Sequence, residues 1–229
     1  MSTTDTLPAG SVAVCVRGER LVLLGDRAAW LPGRQTLLVA DWHLGKADVF
    51  GRFGLPIPAG DEDHDLARLG ALLATTRSRR LLILGDLMHA PPTAQDAWPA
   101  ALRTWLDGYP DLDVTVVAGN HDRMAAVSLP AGLAERLTWL TEPLDEDGWR
   151  FDHEPAAAAG QFVVAGHLHP TRRLVLGADR MRAPAFWLQP KQLVLPAFGS
   201  FTGGYNIRPA PTDRVFVTDG ADVVEVTSR

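Results

Sequence analysis

Four short apolar runs, each stopping abruptly at chemically active residues, constrain this chain more than any other feature. Leu37-Leu38-Val39-Ala40 stops at Asp41-Trp42-His43, and Leu81-Leu82-Ile83-Leu84 stops at Gly85-Asp86. Val116-Val117-Ala118 runs into Gly119-Asn120-His121-Asp122, and Phe162-Val163-Val164-Ala165 into Gly166-His167-Leu168-His169. Apolar runs this short, closed by a turn residue, suit strands covered on both faces. In sheets of such strands, binding and catalytic groups collect beyond the strand ends. A single Asn-His-Asp is as good a turn as a site; the recurrence of strand-then-ligand decides for a site.

With 229 residues the chain is long enough for one large domain or two small ones. It contains no internal repeat, low-complexity linker or clear boundary, so residues 1–10 are expected as a flexible N-terminus and 11–229 as a single domain. Apolar content of 46% is ordinary for a globular protein. No apolar run approaches the roughly 20 residues of a membrane span, and Met1–Gly10 lacks the basic region and apolar core of a signal peptide. Cys15 has no second cysteine to pair with and falls in an apolar strand-like run, where a small buried hydrophobe is expected. A cytoplasmic protein fits all of this. The net charge of -5 and pI near 5.8 argue against a broad basic face for duplex nucleic acid. They leave a nuclease open, because bound divalent cations add local positive charge.

In chain order, residues 11 to 31 read as a β-meander. Residues 44 to 60 are irregular, long for a plain connection, and carry Lys46 and Arg52. A helix is expected from about Asp61, with Leu66, Leu69 and Leu73 on one face. A second is expected after Thr93, which with Asp96 resembles a capping box; Ala94, Trp98, Ala101, Leu102 and Trp105 form its apolar stripe, and Gly108 ends it. Short strands follow over 133–151, reaching Asp152-His153-Glu154-Pro155. From Arg172 on there is no helical period, and the strand-like pieces to Val226 suggest a second sheet.

Six of the seven histidines lie in or near the strand ends, a placement that packing does not require. Two Asp, one Asn and four His mix hard oxygen with borderline nitrogen, and no thiolate is among them. That set suits two octahedral or five-coordinate ions such as Mn²⁺ or Fe better than a closed tetrahedral Zn²⁺ site. Two ions need a shared ligand, and a carboxylate supplies one. A pair roughly 3.5–4 Å apart can polarise a phosphate and generate hydroxide from bound water.

Asp41-x-His43, Gly85-Asp86, Gly119-Asn120-His121-Asp122, the later His153 and Gly166-His167-x-His169, in that order, strongly resemble the calcineurin-like metallophosphoesterases. The resemblance implies an α/β fold of four layers, an α/β/β/α sandwich, with two divalent metal ions at the strand ends. Mn²⁺ is the first expectation, and Fe, Zn or Mg the alternatives. By the same resemblance, Asp41, His43 and His169 hold one metal, Asn120, His153 and His167 the other, and Asp86 bridges. His121 approaches the phosphate as general acid or transition-state stabiliser, and Asp122 orients it. A metal-bridging hydroxide attacks phosphorus in line. Lys46 and Arg52, in the irregular loop, and Arg123, beside a metal motif, are candidates to hold substrate phosphates, with solvated loop charge as the competing reading.

The surroundings carry a narrower resemblance, to bacterial ligase-associated DNA damage response endonucleases. It rests on Asp41-Trp42-His43-Leu44-Gly45-Lys46, Gly54-Leu55-Pro56-Ile57-Pro58, Asp152-His153-Glu154-Pro155 and Phe198-Gly199-Ser200-Phe201-Thr202-Gly203-Gly204. Trp42 is bulkier than the aliphatic residue expected there. The implied function is a phosphodiesterase or nuclease acting on DNA ends or single strands in repair. Nucleic acid, repair proteins such as a ligase and a helicase, and a second copy of the chain are the expected partners; no membrane is. The acidic balance supports an alternative, a small-molecule phosphatase or nucleotide hydrolase on the same site. A catalytically inactive scaffold is a third reading, against which the complete ligand set argues.

The remaining candidates stay divided. His89, three residues beyond Asp86, reads equally as a substrate or supporting contact and as a loop histidine. His64 reads as a solvated helix residue. Arg172 and Arg173 divide between phosphate binding and solvated charge. Phe198, Phe201 and Tyr205 are read as loop packing ahead of base stacking.

Overall fold

The structure, a computed structural model, describes residues 6–54, 61–123, 128–176 and 179–226. Residues 1–5 of the expected flexible N-terminus and residues 55–58 of the Pro-containing loop lie outside this range. Nine strands and four helices occupy the first two thirds of the described residues: β1 (Val12–Val16), β2 (Glu19–Leu24), β3 (Ala28–Leu31), β4 (Thr36–Val39), α1 (Lys46–Arg52), α2 (Asp61–Thr76), β5 (Arg80–Leu84), α3 (Trp98–Asp107), β6 (Asp113–Val117), α4 (Ala131–Ala134), β7 (Thr138–Leu140), β8 (Leu144–Glu146) and β9 (Trp149–Phe151). Strands alone follow: β10 (Phe162–Ala165), β11 (Pro170–Leu176), β12 (Asp179–Gln189), β13 (Gln192–Val194), β14 (Tyr205–Asn206), β15 (Arg214–Thr218) and β16 (Val223–Val226).

They form two sheets. The first has the order β1-β2-β3-β4-β5-β6-β7, antiparallel through the predicted meander as far as β4 and parallel from β4 to β7. The second runs β14-β11-β12-β13-β10-β9-β8, with β15 on β12 and β16 on β15. In it β10 lies parallel to both β9 and β13.

The apolar runs split between two cores with the strand period of two. Leu38, Ala40, Leu82, Leu84 and Val117 face the second sheet's Trp149, Phe151, Phe162, Val164 and Phe186. Their neighbours Leu37, Val39, Leu81, Ile83, Val114 and Val116 face the helices, meeting Leu66, Leu69 and Leu73 of α2 and Leu102 and Leu106 of α3. Both faces of these strands are therefore dry, which is why the runs read as continuous rather than alternating. The two-sheet α/β sandwich implied by the motifs is the observed architecture. Among the described residues the helices cover the first sheet. On the second sheet, Ala158 of the loop before β10 packs against Val163 and Ala165, and a separate cluster joins β12 and β15 through Ala185, Val215 and Val217.

Three local readings are corrected. Cys15 is exposed: the alternation turns Val14 and Val16 inward and Cys15 outward on an edge strand. The second helix starts at Trp98, with Pro99 in its first turn, where a missing N–H costs least. Thr93 and Asp96 form a tight turn ahead of it instead, Thr93 N donating to Asp96 Oδ2 at 2.7 Å. The segment read as irregular contains α1. No helix among the described residues is long and apolar enough to cross a membrane.

Candidate metal centre

Because β4, β5 and β6 are parallel neighbours, Asp41 and His43, Asp86, and Asn120 and His121 leave the first sheet at one end. In the second sheet the parallel strands β9 and β10 end just before His153 and His167. The chain turns sharply at each exit. Asp41, His43, Asp86, His167 and His169 have φ of 54°, 57°, 50°, 68° and 44°. L-residues rarely hold this left-handed region, at a cost of order 1–3 kcal/mol each. Cross-links between the exits hold them there. Asp41 N donates to Gly85 O at 3.1 Å and His43 N to Asp86 O at 2.8 Å. His167 N donates to both oxygens of Asp41, at 3.0 and 2.9 Å. Gly85, with φ of +78°, has no alternative: a Cβ there would overlap the His153 ring.

The seven expected ligands come together. Asp41, His43 and His169 form one group, with Nε2 of His43 and His169 3.3 Å apart and His169 Nε2 3.4 Å from Asp41 Oδ1. In a second group, His153 Nε2 lies 2.9 Å from both Asn120 Oδ1 and His167 Nδ1. Asp86 Oδ2 stands between them, 3.8 Å from His43 Nε2 and 3.7 Å from His153 Nε2. Asp41, His43, Asp86 and His153 are buried, whereas Asn120 and His167 are exposed, so the centre opens to solvent on the second group's side. Imidazole nitrogens and carboxylate or amide oxygens turned on one another at these distances need a proton or a cation between them, and one divalent ion satisfies several at once. The donor chemistry therefore fits divalent metal.

Burial, reinforced by His169 and His121, pushes the His43 imidazole from its usual range down to about 2. It stays neutral and keeps a lone pair to offer. The same shift has a cost in acid. Below about pH 6.5 the unfolded chain protonates this histidine and the folded metal-free protein does not, so stability falls as pH drops. At pH 5 the deficit from this group is about 2 kcal/mol, or roughly 4–8 °C in Tm for a chain of this size. Scanning calorimetry of the metal-free protein between pH 7 and 5 should show that fall, and His43→Gln should make it shallower, leaving the part due to His89, whose pKa burial also lowers. Equal slopes in the two proteins would remove His43 as the cause.

His121 stands beside the first group, its ring edge-on to His43 with centroids 5.1 Å apart. Its backbone N–H donates to Asp86 Oδ1 at 3.0 Å, and its Nδ1–H donates to His89 O at 2.8 Å. The His89 ring stacks on it, centroids 5.2 Å apart. Asp122 does not orient this ring, as the motif had implied. It is fully buried and accepts from the backbone N–H groups of Leu87, Met88 and Gly119 at 3.2, 3.2 and 3.0 Å. It thereby staples the turn after β5 to the turn after β6. Burial raises its pKa, opposed by those same hydrogen bonds. The carbonyl and ring of His89 take the orienting role, and the only signal in the sequence was a histidine three places after Asp86.

The three basic candidates divide. Lys46 is half-buried beside the first group, its Nζ 5.8 Å from the Phe201 ring centroid, and burial lowers its pKa. Arg52 is held away by Asp96, Nη1 to Oδ1 2.5 Å. Arg123 is exposed and borders a cavity of about 530 Å³ that reaches His153 and is also rimmed by Glu142, Asp152 and Glu154. His64 is exposed, as read. Phe198 is core, edge-on to the buried Trp42 with centroids 5.4 Å apart, so Trp42 lies beneath the site rather than at its rim. Tyr205, 60% exposed, is not packed as the loop reading had it; Phe201, 38% exposed, packs edge-on against Phe50 of α1 with centroids 5.9 Å apart.

Carboxylates and imidazoles gathered at the carboxyl ends of parallel strands, on a two-sheet α/β scaffold, define a divalent-metal enzyme of the phosphoesterase type. No family model matches the chain, and no curated protein does. Among solved structures, the Pseudomonas putida nuclease MPE is 36% identical, covering 93% of this chain and 100% of its own, with a TM-score of 0.79. YfcE, a phosphoesterase from E. coli, is 17% identical over 85% of this chain and 99% of its own, with a TM-score of 0.43. The chain belongs to the calcineurin-like metallophosphoesterases, and it is a metal-dependent phosphoesterase.

Proposed function

We propose that the protein is a phosphodiesterase of nucleic acid, acting on DNA ends or single strands in repair and using two metal ions. The observation that carries the substrate class is the 36% identity, along nearly the whole chain, to a nuclease. The two-metal reading is supported by Asp86 Oδ2 standing between two donor groups. Asp41, His43 and His169 would hold one ion, Asn120, His153 and His167 the other, with Asp86 shared. Mn²⁺ is favoured because the donors mix hard oxygen with imidazole nitrogen and include no thiolate. Such ions, once bound, polarise the phosphate and make water a nucleophile at neutral pH.

The chain's own groups do the rest. His121, fixed through Nδ1 by His89 O, presents Nε2 as the proton donor to the leaving oxygen. Asp122 keeps its turn in register. Lys46 and Arg123, on either side of the donor groups, offer positive charge to flanking phosphates; Arg52 can join them only by leaving Asp96. The solvent-open side of the centre admits a polymer. The enzyme would act in the cytoplasm, alongside repair proteins such as a ligase and a helicase, and as a homodimer.

The test is hydrolysis of bis-p-nitrophenyl phosphate, labelled single-stranded DNA and a nucleotide panel, with Mn²⁺ and other divalent ions varied. Cleavage of the diester and of DNA is expected. Efficient monoester or nucleotide hydrolysis with no cleavage of any nucleic acid would replace this reading with the small-molecule one, which the net charge of -5 favours.

A further inference from the structure

Strands β11 and β12 continue beyond the second sheet as a two-stranded arm. β12 leaves its other neighbours at Ala185, and from there outward Arg180–Pro184 pair with Thr171–Val175 alone. Residues 170–189 contain four arginines and one acid, Asp179, in a chain whose net charge is -5. Arg173 lies directly opposite Arg182, and Val175 opposite Arg180. Because successive side chains on a strand point to opposite faces, Arg173, Arg180 and Arg182 share one face of the arm. All three are exposed. Like charges directly opposite one another destabilise a ribbon. Several arginines elsewhere sit against carboxylates, as Arg34 does on Glu19, Arg80 on Glu146 and Arg214 on Glu225. Those of the arm have no such partner among the described residues.

The arm is rooted in the metal centre. β11 begins at Pro170, next to His169. His169 Nδ1–H donates to Gly203 O at 3.2 Å, and Arg182 Nη1 donates to the adjacent Gly204 O at 3.3 Å. The same Gly-rich strap carries the exposed rings of Phe201 and Tyr205, and Tyr205 pairs in register with Pro170. At about 3.3 Å per residue, Arg173 stands roughly 13 Å along the chain from His169.

We propose that this face of the arm is a track for the phosphate backbone of a single strand whose scissile phosphate lies at the metal centre. The inference rests on the nuclease reading. Uncompensated guanidiniums in a row two strands wide match one chain of phosphates. They do not match a second copy of the same face, which would set arginine against arginine. Phe201 and Tyr205 add ring surfaces on which bases stack without sequence preference.

The test compares the wild type with R173Q/R180Q/R182Q, both checked for equal Tm, on a labelled 30-nucleotide single strand and on bis-p-nitrophenyl phosphate with Mn²⁺. For the variant, kcat/KM on the strand should fall about tenfold or more, chiefly through KM, with bis-p-nitrophenyl phosphate hydrolysis unchanged. The salt dependence of strand binding should lose up to about 2 in its log–log slope, at about 0.7 per phosphate contact. Unchanged strand kinetics, or equal losses on both substrates, would overturn the proposal. So would conversion of a wild-type dimer to a monomer in the variant, which would make the arm an interface between copies. If the wild type hydrolyses bis-p-nitrophenyl phosphate but cleaves no strand, the nuclease reading fails first and the track falls with it.

Discussion

Asp86→Asn should lose metal and activity together. Asp86 is 3% exposed and held at φ of 50°, and its two oxygens have separate tasks. Oδ1 accepts the His121 N–H at 3.0 Å; Oδ2 lies within 3.8 Å of a nitrogen from each donor group. Asparagine can keep the first contact through its carbonyl. It must then turn an NH₂, a donor with no charge, toward the space between His43 and His153. The negative charge that both ions would share is gone, and the four histidines cannot replace it. Elemental analysis after dialysis should fall from the two ions per chain proposed for the wild type to one or none. kcat/KM should drop by about 10³-fold or more, about 4 kcal/mol of transition-state stabilisation. The shape is conserved, so Tm of the metal-free proteins should agree within about 2–4 °C. Wild-type metal content in the variant would show that Asp86 is not the shared ligand.

His121→Ala should separate binding from chemistry. The ring is not among the seven expected ligands, and its removal leaves Asp86 with the backbone N–H of residue 121. Metal content should stay as in the wild type, while kcat falls about 10²–10⁴-fold, the loss typical of a general acid. The leaving group sharpens the test. A deoxyribose oxygen needs a proton as it departs, and p-nitrophenolate needs far less help. The loss should therefore be much larger on DNA than on bis-p-nitrophenyl phosphate. Equal losses would assign His121 to stabilising charge on the phosphate; near-wild-type rates on DNA would remove it from the chemistry.

Much of this centre was legible in the sequence. Each ligand sits within a few residues of an apolar run, and both the run and the exit are local patterns. Val39 predicts a strand, and Asp41 and His43 predict what the strand delivers. The meander, α2 and the all-strand C-terminal region followed from the same periodicities. What escaped depended on neighbours far away in the chain. Cys15 looked buried because its run is apolar, yet only the pairing of β1 with β2 at the sheet edge decides which alternate residues face inward. Arg52 was a fair phosphate candidate until the fold brought Asp96 against it, 44 positions on. Asp122 follows His121 in sequence and was expected to support it, but its carboxylate turns to the backbone of Leu87 and Met88.

The sequence by itself determined which groups stand at the strand ends, because a strand's covering and its termination are written in consecutive residues. Only the tertiary structure decided how those groups meet. His43 and His169 are 126 positions apart and 3.3 Å apart in space, and no local pattern encodes that distance. It is set by packing two twisted sheets on a shared core, and by hydrogen bonds between exits that hold five of the ligand residues in a backbone conformation they would not adopt alone.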